Sequence, residues 1–103
     1  MTTLPLPATA VIPVPDAALI RRMARRDSTA LCELQRRYSA SLYALVYGIL
    51  MDADRADRLV AEVFEQAWHA AELLSQRHRG AHSWLRQTAR ERALSDRATP
   101  ESR

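Results

Sequence analysis

The stretch Leu59-Val-Ala-Glu-Val-Phe-Glu-Gln-Ala-Trp68 decides how the rest of the chain is read, because its apolar residues recur at helical spacing while its acids fall elsewhere. Val60, Val63, Phe64, Ala67, Ala71 and Leu74 form one continuous stripe. A helix here buries that stripe and turns Asp57, Glu65 and Glu72 to water or to a partner. Asp52-Ala-Asp54 just upstream is a good start signal, and beyond Leu74 the apolar period stops. The spacing predicts a single helix over 55–74, of roughly five turns.

Upstream, Asp27-Ser28 restarts the chain into a longer periodic segment over 28–50. Its stripe is Leu31, Leu34, Tyr38, Leu42, Leu45, Val46 and Ile49, at spacings of three and four throughout. Cys32, Tyr38, Tyr43 and Tyr47 carry reactive groups, but no base is placed near them in sequence, and ordinary packing is the reading for all four. A shorter helix over 16–26 precedes them, with Asp16 as its cap and Leu19, Ile20 and Met23 facing inward. Arg21, Arg22, Arg25 and Arg26 load its other side and last turn, where cations suit the helix dipole. They can touch phosphate, although a solvated face is the plainer reading.

Downstream, Ser75-Gln-Arg-His-Arg-Gly-Ala-His-Ser83 is the polar, glycine-containing interval of the folded part, and Ser83 can cap a fourth helix over 84–96. At about 100° per residue, Arg86, Arg90 and Arg97 share a narrow arc, while Trp84, Leu85, Thr88 and Ala89 share another. Arg92 lands in the packing arc, so it must snorkel outward or pair with an acid from a neighbouring helix. The four periods together predict an all-α, four-helix domain with Leu19, Leu34, Leu42, Leu45, Val60, Phe64, Ala67 and Leu85 inside.

At 103 residues the chain has room for one domain, expected over 15–98 between a proline-rich disordered leader (1–14) and a short disordered tail (99–103). The leader holds Pro5, Pro7 and Pro13 and no basic residue, unlike a secretory signal. The most apolar stretch, Leu42 to Met51, is about half of what a membrane span needs, and no membrane role is expected. All 15 basic residues are arginine. Residues 1–74 hold eight of them against nine acids, and residues 75–103 hold seven against three, so a basic end sits on a near-neutral body, as a polyanion-facing surface or a solvated basic tail would have it. The single cysteine, Cys32, excludes an internal disulfide and suits a reducing cytoplasm. Catalytic motifs are missing: there is no phosphate-cradling glycine loop, no nucleophile elbow and no His-Glu-x-x-His or paired-cysteine signature. Glu62 and Glu65 read as solvated surface and His78 and His82 as loop residues, so neither an enzymatic activity, a metal nor a cofactor is expected.

Five blocks in order carry a resemblance: Asp16-Ala-Ala-Leu-Ile20; Ala30-Leu-x-Glu-Leu-x-x-Arg-Tyr38; Ala56-Asp-Arg-Leu-Val-Ala-Glu-Val-Phe64 with Trp68; Arg79-Gly80; and Trp84-Leu-x-x-x-Ala89 with Arg92-Ala93. Together, over about Asp16 to Arg97, they resemble region 2 of the extracytoplasmic-function group of bacterial sigma factors. The resemblance implies a compact helical domain of transcription initiation. Its third helix, through Asp57, Arg58, Ala61, Glu62 and Glu65, would bind the coiled coil of the largest subunit of the RNA polymerase core. Its loop and last helix, through Gln76, Arg77, His78, Arg79, His82, Trp84, Arg86, Arg90 and Arg97, would read and open the single-stranded −10 promoter element. The chain departs from the family pattern on the polymerase face, where Asp-x-x-Gln-Glu is replaced by Arg58, Ala61 and Glu62. Glu91 and Ser95 also stand where the family has asparagine or aspartate, and the family's second domain, for the −35 element, is not expected within these 103 residues. These changes motivate an alternative expectation, an interaction module of the same fold that binds a regulator such as an anti-sigma protein without initiating transcription.

Overall fold

Two residues, Met51 and Asp52, set the topology by turning one long helix back on the next. The computed structural model describes residues 14–77 and 80–99, and within them five helices: α1 (Asp16–Ala24), α2 (Ser28–Leu50), α3 (Ala53–His69), α4 (Ala71–Ser75) and α5 (Ala81–Ala98). No strand occurs among the described residues. Met51 takes a left-handed conformation (φ 56°) and donates its N–H to the Tyr47 carbonyl, ending α2. The Asp52 carboxylate then accepts the Arg55 N–H at 3.0 Å, starting α3. A connection this short makes α2 and α3 antiparallel neighbours. Arg55 pairs with Asp96 and Glu62 with Arg92, so α5 runs antiparallel to α3 and hence along α2.

The short helices α1 and α4 pack on each other, and α1 also packs on α2. α1 stops because Arg26 turns left-handed (φ 67°), with the Asp27 N–H returning to the Arg22 carbonyl and the Arg26 N–H to the Met23 carbonyl. This six-to-one and five-to-two pattern usually needs glycine. Here the arginine is held by its contacts: its guanidinium lies 4.8 Å from the Trp68 ring centroid and donates to the Trp68 carbonyl at 3.1 Å. Asp27 caps α2 as expected, accepting the Thr29 N–H and hydroxyl while Arg22 donates to its other oxygen. The Thr29 hydroxyl first and the Arg22 guanidinium second hold its carboxyl down at about 2.

All six residues of the α3 stripe, extended through α4, are buried, with Phe64 the largest fully buried side chain. Leu19, Ile20 and Met23 of α1, Leu34, Leu42 and Val46 of α2, and Leu85 and Ala89 of α5 join them. Leu31, Tyr38, Leu45 and Ile49 are only half-buried, so the core side of α2 is narrower than its apolar stripe. Cys32 and Tyr47 are exposed, against the expectation of packing.

Beyond two-residue shifts at the end of α1, the start of α3 and the end of α5, the structure differs from the sequence reading in three respects. The helix expected over 55–74 breaks at Ala70, next to the Trp68 carbonyl that accepts from Arg26, and its last turn becomes α4, which packs against α1 and buries Leu74. The last helix begins at Ala81 and not at Trp84. Gly80, in extended conformation, precedes it, Ser83 is exposed within its first turn, and Ala81 is buried, so packing of the first turn outweighs the available hydroxyl cap. Asp16 does not cap α1. Pro15 stands at that position, and the Asp16 carboxylate bonds Arg37 at 2.8 Å and the Tyr38 hydroxyl, tying α1 to α2. The expected leader over 1–14 lies almost wholly outside the described residues, as does most of the expected tail.

Phe64→Ala removes the centre of this core and is expected to cost roughly 3–5 kcal/mol, most of the stability of so small a domain. A thermal melt followed by far-ultraviolet circular dichroism checks it; a parent-like melt would mean that Phe64 is not a core residue. Met51 is 70% exposed and left-handed, so Met51→Gly removes the steric penalty at little packing cost. The same melt should move upward, by an amount corresponding to about 0.5–1 kcal/mol. A lower melting temperature would show that the Met51 side chain contributes more than its backbone strain costs.

Candidate nucleic-acid and polymerase interfaces

The arginine arc of the last helix becomes a ridge in three dimensions. His82, Arg86 and Arg90 follow one another at intervals of four along α5, about 6 Å apart, and Arg97 continues the same side. All four are exposed, and Arg86, Arg90 and Arg97 have no ion-pair partner among the described residues. The opposite edge of the helix differs. Arg92 donates to Glu62 at 2.6 Å and to Gln66 at 3.2 Å, and Arg55 donates to the Asp96 carboxylate at 2.8 Å and to its carbonyl at 3.1 Å. Packing of Ala81, Leu85, Ala89 and Ala93 fixes which edge is which.

At the foot of the ridge, the His82 ring stacks on Tyr38 of α2, with centroids 4.8 Å apart and planes 11° apart. Tyr38 is itself held by Asp16, whose carboxylate accepts from Arg37 as well. Burial first, and the Asp16 hydrogen bond second, push the Tyr38 phenol up to about 12, so it stays a neutral donor across the physiological range. Glu33 bridges Arg36 and Arg37, and those hydrogen bonds hold its carboxyl below the ordinary range. Glu33 with Arg36 and Arg37 is a local pairing at spacings of three and four within α2, whereas the His82–Tyr38 stack and the Asp16 bonds to Arg37 and Tyr38 could not be read from spacing, since they join residues brought together by the α2–α5 and α1–α2 contacts. The aromatic identity of Tyr38 was their only local signal.

The other candidate DNA contacts cluster less tightly. Gln76 and Arg77 are exposed at the end of α4, and His78 and Arg79 lie outside the described residues. Trp84 is half-buried against the core, with its free side lining a cavity of about 190 Å³ shared with Leu74, Arg77, Gln87, Thr88 and Glu91. Glu91 stands about 100° round the helix from Arg90 and accepts from Gln87 at 3.1 Å. The acid therefore borders the Trp84 cavity and not the arginine ridge.

On α3 the five candidate docking residues fall on different sides. Asp57 and Ala61 edge a shallow groove between α2 and α3, floored by Tyr43, Val60 and Phe64. Arg58 and Glu62 line a cleft of about 370 Å³ between α3 and α5, together with Arg55, Glu91, Arg92 and Asp96. Glu65 points to solvent between the two. Asp57, Arg58, Ala61 and Glu65 are exposed, while Glu62, half-exposed, is taken by Arg92. The pairing required for Arg92 by its place in the packing arc is thus met by Glu62. No group of three or more metal-binding side chains occurs among the described residues, and none of their helices is long and apolar enough to cross a membrane.

Comparison with known proteins agrees with this architecture. The model of the sigma-70 region 2 family matches residues 34–99, well over half of the chain and most of α2 through α5. Over 77 residues the chain is 29% identical to the ECF RNA polymerase sigma factor SigK of Mycobacterium tuberculosis (strain ATCC 25618 / H37Rv). It is equally similar to the protein of the same name from Mycobacterium bovis (strain BCG / Pasteur 1173P2). Each match takes in 75% of this chain and 41% of the relative, so the chain spans about two fifths of the length of the curated relatives it matches. No solved structure is significantly similar to it. The helical order, the α3 stripe and the match across α2 to α5 together place the chain in the sigma-70 region 2 family.

Proposed function

We propose that the chain acts in transcription initiation, with α3 docking on the coiled coil of the largest subunit of the RNA polymerase core and with α5 and the preceding loop engaging single-stranded −10 promoter DNA. The observation that carries this reading is the exposed ridge of His82, Arg86, Arg90 and Arg97, whose arginines have no partner among the described residues. Unpaired guanidinium groups at helical spacing suit phosphates, and a histidine stacked on a tyrosine at the ridge's foot suits a base. The reading assigns no catalytic step to the chain. Affinity for a −10-like single strand should fall steeply as salt rises, and Arg90→Ala should flatten the slope of log affinity against log salt by about 0.7. His82→Ala should instead reduce discrimination between −10-like and scrambled strands while leaving the slope nearly unchanged. A parent that does not distinguish the strands, with an Arg90→Ala slope equal to the parent's, would end the DNA reading.

On the polymerase side, Arg58 places a cation where the resemblance calls for an acid, and Ala61 removes a polar contact. Docking on a basic coiled coil is accordingly weak. Arg58→Asp combined with Ala61→Gln should tighten binding to the isolated polymerase coiled coil, measured by titration calorimetry at fixed salt. Unchanged affinity would mean that this side of α3 is not the docking surface. The exposed Arg58, together with the engagement of Glu62 by Arg92, also favours a second reading, in which the same surface holds an acidic regulator such as an anti-sigma protein. Retention or loss of the chain on immobilised polymerase core separates the two.

A further inference from the structure

We propose that Arg92 is an internal competitor for the docking face of α3: its guanidinium occupies Glu62 and must leave before a basic helical partner can use that acid. The inference rests on the polymerase-docking reading of α3 and adds a regulatory contact to it. Of the three positions at which the chain departs from or keeps the docking pattern, only Glu62 is kept, and its Oε1 accepts from Arg92 Nη2 at 2.6 Å. Arg92 Nη1 meanwhile donates to Gln66, one turn further along the same edge of α3. A cation therefore already stands against the acid that a cationic partner would seek. The contact is exchangeable, because Glu62 and Arg92 are 42% and 40% exposed and water can replace either partner.

The clasp is not needed to hold the helices together. Arg55 and Asp96 bridge α3 and α5 at the other end of the same cleft, and the buried faces of the two helices are apolar, with Leu59 and Val63 on α3 and Leu85 and Ala89 on α5. Arg92 can thus swing away from α3 without α5 leaving the bundle. A partner that binds Glu62 exchanges one ion pair for another and gains only the difference, which lowers its affinity by the free energy of the internal pair. For a pair this exposed, that corresponds to a factor of about two to five in Kd.

A double-mutant cycle tests the proposal, using the isolated coiled coil of the polymerase largest subunit as the probe and circular dichroism to confirm that each variant keeps its helices. Arg92→Gln should tighten binding about two- to fivefold, and Glu62→Gln should weaken it. In the Glu62→Gln background, Arg92→Gln should have no further effect, which separates release of Glu62 from a general loss of positive charge. Binding by Arg92→Gln where the parent shows none supports the proposal equally. If the parent binds and Arg92→Gln leaves affinity unchanged or weaker, or tightens it equally in both backgrounds, the competitor role is overturned while docking on α3 stands. If neither the parent nor any variant binds, both the docking reading and the competitor role fall.

Discussion

Phe64 lies on the buried face of α3, a helix packed against both α2 and α5, and the space around that face dictates the side chains that those helices present. α3 contributes Ala56, Leu59, Val60, Val63 and Ala67 to the same buried face, α2 brings Leu34, Leu42 and Val46, and α5 brings Leu85 between Ala81, Ala89 and Ala93. The alanines matter as much as the large residues, because only a small side chain lets α5 approach a surface already filled by phenylalanine and valine. Burying a phenylalanine contributes roughly 1.5–3 kcal/mol, a substantial fraction of the margin by which a single domain is stable. Once α5 is seated through its alanines, the edges of the helix are no longer equivalent. One faces α3, and the other faces water.

That asymmetry separates the charges. Arg55, Glu62, Arg92 and Asp96 lie where α3 and α5 meet and satisfy one another, whereas Arg86, Arg90 and Arg97 lie beyond reach of any acid among the described residues. A similar sorting occurs at the other end of the bundle, where Asp16, Arg37 and Tyr38 tie α1 to α2 and Arg26 ties the α1–α2 turn to the end of α3. Each of these links is partly solvated and contributes modestly to stability. Their larger consequence is positional: they fix His82 against Tyr38 and decide which guanidinium groups stay available.

Membership of the sigma-70 region 2 family accounts for the helical order and for the stripe of α3, and the similarity to mycobacterial ECF sigma factors covers about two fifths of those proteins. What sets this chain apart lies on the surface of α3. Against the docking pattern that the resemblance implies, Arg58 reverses a charge and Ala61 removes a polar group, and Glu62 already has a cation beside it. The two replacements and the pairing of Glu62 with Arg92 all act in the same direction, toward a weaker attraction of α3 for a basic partner, while the ridge of α5 keeps its cations exposed.

The sequence by itself determined the helical class, the buried residues at the centre and the caps at Asp27 and Asp52, because apolar periodicity and capping act within a few residues and need no knowledge of the rest of the chain. It also determined that Arg92 needed a partner or a route to water, since its angular position follows from helix geometry alone. Only the tertiary structure decided that the partner is Glu62, that Asp16 leaves its own helix for Arg37 and Tyr38, and that the long helix expected through Leu74 breaks at Ala70. It likewise chose Ala81 over Trp84 as the start of α5, because burial of Ala81 against the core outweighed the hydroxyl cap that Ser83 offered. In each case two locally acceptable arrangements compete, and the contact that separates them comes from residues 20 or more positions away in the chain, where no local pattern carries it.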